Sequence, residues 1–274
     1  MGVVTLSVLA GKESMKTKTV LWLAVMICAM WWTLRADAGE GAHATTESRD
    51  EIAGAAGNSL ADADEVRLGE VLAVKFAAEE GMQPTPQSKK IDEYLQKVGD
   101  RVTAHAKRKI PYKFHFDPSP SFRSAVGLPG GQVFVGAGIL AYMDSEDQLG
   151  MVLGHEVEHI DLNQCHDRLV KVMADEHLTV NDGERLNVDP FLPGYGREGE
   201  LAADREGVLL AMQAGYAAEA AIRLLQTYII LGENMPNTPK EAKENLQRRI
   251  AQIRTVIAES KLPKPEKEKE LGLP

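Results

Sequence analysis

The pentad His155-Glu156-Val157-Glu158-His159 constrains this chain more than any other stretch. It lies in a segment where Leu149, Leu153, Val157 and Ile160 recur at steps of four and three, the period of an α-helix with one buried face. Histidines four apart on such a helix project about 40° from alignment, so both imidazoles can reach one ion at ~2 Å. Glu156 falls beside them, where it can hold a water on that ion and take its proton. Ser145 and Gln148 have the S-x-x-Q form of a helix start. Gly150 and Gly154 are poor helix formers, which predicts that another helix or a substrate passes close by.

Two histidines make half a catalytic site, and a third ligand has to come from elsewhere. A helix predicted from about Arg197 to Gly215 puts Glu200 and Asp204 four residues apart, on one face. Glu200 would complete a set of two histidines and one glutamate, a known zinc set that leaves a fourth position open. Asp204 can accept a hydrogen bond from the far nitrogen of a ligand histidine and so fix its tautomer. Glu198 and Glu206 are rivals to Glu200 but point elsewhere on the helix. Ala203, Gly207 and Ala211 flank the acidic face with small side chains, which would let this helix come close to another.

The ends of the chain read differently. Lys12, Lys16 and Lys18 precede fifteen uncharged residues from Val20 to Leu34, and Ala36-Asp37-Ala38 follows. This is the layout of a secretory signal peptide over residues 1–38, or of an uncleaved anchor, and it predicts an exported, periplasmic protein, membrane-associated only if the segment is kept. Residues 39–61 read as a flexible leader and residues 261–274, mixing charges and prolines, as a disordered tail. The domain between them spans 62–260. Its apolar content suffices for a core, since the chain as a whole is 44% hydrophobic. A formal charge of −9 argues against a nucleic-acid partner. After cleavage Cys165 would be the one cysteine, so no internal disulfide is expected and the residue reads as a small buried side chain.

The remaining elements are mostly helical, giving an α+β class with a small sheet. Helices are expected from Asp62 and from Ser88, and from Ala217 to Leu231 and Asn237 to Glu259. The helix of the pentad is expected to continue through Asp161 to about Lys171. Tyr112–Phe116 alternates as a strand does, with His115 as a surface residue, and Gln132–Val135 follows Pro129-Gly130-Gly131 as a second strand, expected at a sheet edge.

HEVEH followed by E-x-x-A-D in REGELAADR, with AVGLPGGQVFVGAGIL upstream, resembles the gluzincin zinc peptidase family that contains HtpX, the CAAX prenyl protease and the BepA-like and Oma-like peptidases. The layout is nearest the periplasmic BepA-like members. The resemblance implies a zincin-like single catalytic domain with an active-site helix, and one Zn²⁺ per chain on His155, His159 and Glu200. It further implies Glu156 as general base and Asp204 as the orienting carboxylate. Ser124 stands where the family usually has asparagine. The activity implied is endopeptidase cleavage of unfolded or extended proteins in the cell envelope, where assembly factors are further candidate partners. An extended substrate would pair with the expected edge at Gly131, Gln132, Val133 and Phe134. Tyr195 is a candidate oxyanion donor. The alternative is an envelope chaperone or assembly factor whose metal site is structural or gated.

Overall fold

A computed structural model describes residues 60–191, 194–234 and 239–274. The expected signal peptide and nearly all of the leader lie outside the described residues, as do Asn237 and Thr238. Among the described residues no helix is long and apolar enough to cross a membrane.

Among the described residues, eight helices surround a three-stranded sheet. Helix α1 (Asp62–Glu79) and α2 (Pro86–Thr103) come first. Thr85 and Ser88 start α2 with reciprocal side-chain caps. Strands β1 (Lys113–Asp117), β2 (Ala125–Leu128) and β3 (Gln132–Gly136) follow, then the single turn α3 (Ala137–Leu140). Helix α4 (Glu146–Asp161) carries the pentad, and α5 (Gln164–Asp175), α6 (Gly196–Gln213), α7 (Glu219–Glu233) and α8 (Lys240–Glu259) complete the order. The fold is α+β and mainly helical, as the periodicity predicts.

The sheet order is β1-β3-β2, with β1 parallel and β2 antiparallel to β3. This corrects one expectation. Strand β3 is the middle strand, and Gln132, Val133 and Phe134 are buried with both neighbours paired. The prolyl and glycyl residues that suggested an edge build the tight β2–β3 turn instead. Gly130 and Gly131 take φ of 73° and 89°, and a Cβ on Gly131 would meet the Pro111 carbonyl at 2.1 Å. Of the two outer strands, β2 is the one that packs against α4, and its four residues are buried.

Helix α4 is buried almost all round, not along one stripe. Leu149, Leu153, Val157 and Ile160 are fully enclosed in the larger core, and Glu156, Glu158 and His159 are buried as well. Gly150 packs under the Tyr216 ring, where a Cβ would come to 2.6 Å. Gly154 and Gly207 let α4 and α6 touch backbone to backbone, since a Cβ on either would lie 2.5 Å from Gly207 O or 2.7 Å from His155 N. The pentad helix does not run on to Lys171. Asn163, at φ 61°, turns the chain left-handed between α4 and α5, a conformation that asparagine tolerates better than most residues.

The expectation of disorder for 261–274 is also corrected. Glu270 bridges Ser145, and Lys269 exchanges backbone bonds with Glu146 N–H and the Asp147 carboxylate. Arg223 holds Glu268, while Leu262, Leu271 and Leu273 pack on the core. Charge-rich composition hides these three leucines, whose burial anchors the segment.

Candidate metal centre

The α4 backbone brings His155 Nε2 to 3.1 Å from His159 Nε2. Glu200, from α6, places Oε2 at 3.5 Å from the first and Oε1 at 3.8 Å from the second. One ligand atom from each of the three residues lies within 4.8 Å of the others. Ligands bound tetrahedrally at about 2.0–2.1 Å sit roughly 3.3 Å apart, so these separations fit a single divalent ion.

The far nitrogens explain why the Nε2 atoms converge. His159 Nδ1 lies 2.6 Å from Gln164 Oε1, and Gln164 in turn donates to Gly199 O at 3.3 Å. His155 Nδ1 lies 2.9 Å from Asp204 Oδ1, close enough for an ion pair although the approach is too bent for a straight hydrogen bond. With both Nδ1 atoms facing acceptors, both Nε2 atoms turn toward one another and toward Glu200. One cation placed between them can bridge all three groups.

The charges agree. Burial opposes a positive His155, yet Asp204 and Glu200 push it up to about 10. Burial and the neighbouring His155 charge push His159 down to about 4. Burial also opposes ionised Glu200, but the histidines bring it down to about 2. Asp204 stays ionised against burial through Arg249, whose Nε and Nη2 lie 2.5 and 2.7 Å from its two oxygens. The cluster therefore holds positive charge between two carboxylates, the environment a metal ion occupies after displacing the imidazole proton.

Glu156 accepts a hydrogen bond from Gly127 N–H at 2.8 Å, and burial raises its proton affinity. Beside it opens a cavity of about 290 Å³ with an apolar wall that includes Ile139, Val208, Leu224, Leu225 and Leu246. Arg123, Ser124 and Ala125 border the same cavity, whereas Gly131, Gln132, Val133 and Phe134 are absent from its lining.

One expected donor falls differently. Tyr195 stacks on His159, ring centres 4.2 Å apart, but its hydroxyl lies 3.1 Å from Cys165 Sγ and does not face the ion position. It is a wall for the ligand ring, not a donor. Cys165 is fully buried, in keeping with its reading as a small buried side chain, and burial pushes its thiol up to about 12. Of the rivals to Glu200, Glu206 is engaged by Lys107 and Arg205. Gln164 and Arg249 were missed. Gln164 gains its role from the Asn163 turn, and Arg249 lies on a polar helix far along the chain, so neither carries a local signal.

A helix bearing two histidines and a buried glutamate, crossed by a second helix that adds a carboxylate beside a cavity, defines a metallopeptidase-type centre. The chain belongs to peptidase family M48, whose model matches residues 89–257. It is 27% identical over 216 residues to the beta-barrel assembly-enhancing protease of Escherichia coli K12, covering 69% of this chain and 43% of that protein. It is 30% identical over 141 residues to the mitochondrial metalloendopeptidase OMA1 of Schizosaccharomyces pombe, covering 47% of this chain and 41% of that one. The matched region thus spans less than half the length of these relatives.

Proposed function

We propose that the protein is a zinc endopeptidase that cleaves unfolded or extended polypeptides in the cell envelope. The observation that carries this reading is the convergence of His155, His159 and Glu200 beside the buried carboxylate of Glu156. Zinc, when bound, supplies a Lewis acid that polarises the scissile carbonyl and acidifies water. Glu156 takes the proton of the attacking water and passes it to the leaving amine. Burial raises its proton affinity, which favours uptake of the water proton, and the Gly127 N–H fixes one of its oxygens. Asp204 and Gln164 hold the two imidazoles, and Arg249 keeps Asp204 charged.

The substrate strand belongs beside β2, the outer strand that borders the cavity at Ala125, in place of the central β3. Gly127 N–H turns away from β3 toward Glu156, so the alternating pattern turns the outward groups of Ala125 the same way, along the cavity border. Backbone pairing there selects extended chains, and the apolar cavity selects a large apolar side chain next to the cleaved bond. The envelope location rests on the signal-like amino terminus and on the part in beta-barrel assembly that the name of the Escherichia coli relative states.

The test is casein cleavage by wild type and Glu156→Gln, with zinc content measured on both. The variant should keep its zinc and lose at least ~10³-fold in kcat. Wild-type cleavage rates in that variant, or a wild type that binds no zinc, would overturn the reading.

A further inference from the structure

Cleavage through a tetrahedral adduct needs a donor for the carbonyl oxygen as it gains charge, and electrostatic stabilisation of this kind is a large part of catalysis. The cavity's donors are mostly committed. The Tyr195 hydroxyl faces Cys165, Arg249 is bound to Asp204, and Arg248 is held by Glu244 and Asn245. Tyr228 on α7 differs. Its hydroxyl is enclosed and has no hydrogen-bond partner among the described residues. Leu224, Leu225, Tyr228 and Leu231 form one face of α7, and all four line the cavity that also contains His155, Glu156 and Glu200. A phenylalanine would satisfy the packing of that face, so packing leaves the hydroxyl unexplained. The phenol lies within electrostatic reach of Glu156 and Arg249, and burial keeps it protonated.

We propose that the Tyr228 hydroxyl is the electrophilic donor of this site, hydrogen-bonding the oxyanion formed from the scissile carbonyl. The inference rests on the peptidase reading above. As the water oxygen bonds to the carbonyl carbon, the π pair moves onto the carbonyl oxygen and Glu156 receives the water proton. Tyr228 donates a hydrogen bond to that oxygen and keeps its own proton. The C–N bond then breaks, the carbonyl re-forms, and the amine takes the proton from Glu156.

The test compares wild type with Tyr228→Phe, both zinc-loaded, on a quenched fluorogenic peptide built on a bond the protein cleaves in casein. The expected result is a kcat lower by ~10²-fold with KM within about threefold. Zinc content should be equal and Tm no lower than wild type, because the hydroxyl removed has no partner in the fold. Calorimetric titration with a phosphinic peptide, which mimics the tetrahedral adduct, should show affinity weaker by about the same ~10²-fold. Unchanged kcat and phosphinate affinity in Tyr228→Phe overturn the assignment while leaving the peptidase reading intact. So does a fall in kcat that comes with a lower Tm and unchanged phosphinate affinity, which would mark a structural hydroxyl. A wild type inert toward every peptide overturns the peptidase reading, and Tyr228 with it.

Discussion

The carboxylate of Glu156 and the backbone N–H of Gly127 are joined by a 2.8 Å hydrogen bond, so the expected base and the strand bordering the cavity are one mechanical unit. A Cβ on Gly127 would lie 2.9 Å from the Glu156 carbonyl oxygen. Gly127→Ala should therefore lift β2 off α4, destabilise the protein by about 1–3 kcal/mol, and lower kcat by ~10-fold or more. Thermal unfolding and peptide kinetics check both. A variant with native stability and full activity would show that the strand and the base are not coupled.

The Gly154–Gly207 crossing sets the reach of Glu200 toward the histidines. Gly207→Ala forces a Cβ to within 2.7 Å of His155 N. The expected outcome is a loss of about 1–3 kcal/mol in stability and zinc affinity at least ~10-fold weaker, read by competition with a chromophoric chelator. Wild-type affinity in this variant would mean the helices can part without moving the ligands.

Arg249→Ala leaves Asp204 buried and without its main counter-charge. Removing one partner of a buried pair costs about 3–5 kcal/mol. Zinc affinity should fall 10–100-fold as His155 loses its fixed partner. Arg249→Lys, which restores charge without the paired geometry, should recover part of the stability. Differential scanning calorimetry with and without zinc separates the two effects.

Far from the centre, Glu65 is fully buried and bonded to Arg108, His166 and Gly130 N–H. Burial opposes its charge, but these partners bring it down to about 2. Its contribution is complete above the ordinary value of 4.5 and is lost as pH falls from there toward about 2. The Glu65 carboxylate raises His166, so that residue's contribution is present below 6.5 and lost as pH rises through its higher folded value. The Tm difference between wild type and His166→Asn should be largest near pH 5–6 and shrink in alkali. A difference that grows with pH would contradict the pairing.

Zinc removal should lower Tm, because a ligand bound to the folded state alone stabilises it, by about 2.7 kcal/mol at a concentration 100 times Kd. Chelation should have no such effect on His155→Ala. Equal shifts in both would place the metal somewhere other than this site.

The pentad helix and the mainly helical class are legible in the sequence because each rests on short-range periodicity, which also puts Glu200 on a helix face, while its approach to the histidines is a contact between separate helices. Gly150 and Gly154 even announced a close neighbour, which proves to be Tyr216 on one side and α6 on the other. Strand order was not legible, because the Pro129-Gly130-Gly131 turn looks the same whether it ends a sheet or folds β3 into its middle. Gln164 and Arg249 were invisible for another reason. Their partners, His159 and Asp204, are chosen by the Asn163 turn and by the docking of α8, which are tertiary events.

Arg249 has a consequence for when the candidate metal centre is completed. The carboxylate that holds His155 depends on a residue of α8, so a chain made only as far as α7 has the pentad and Glu200 but lacks the counter-charge that keeps Asp204 ionised in the interior. Such a chain should be a weak metal binder and a poor hydrolase. A site assembled this way would bind metal well only once α8 has docked on α6.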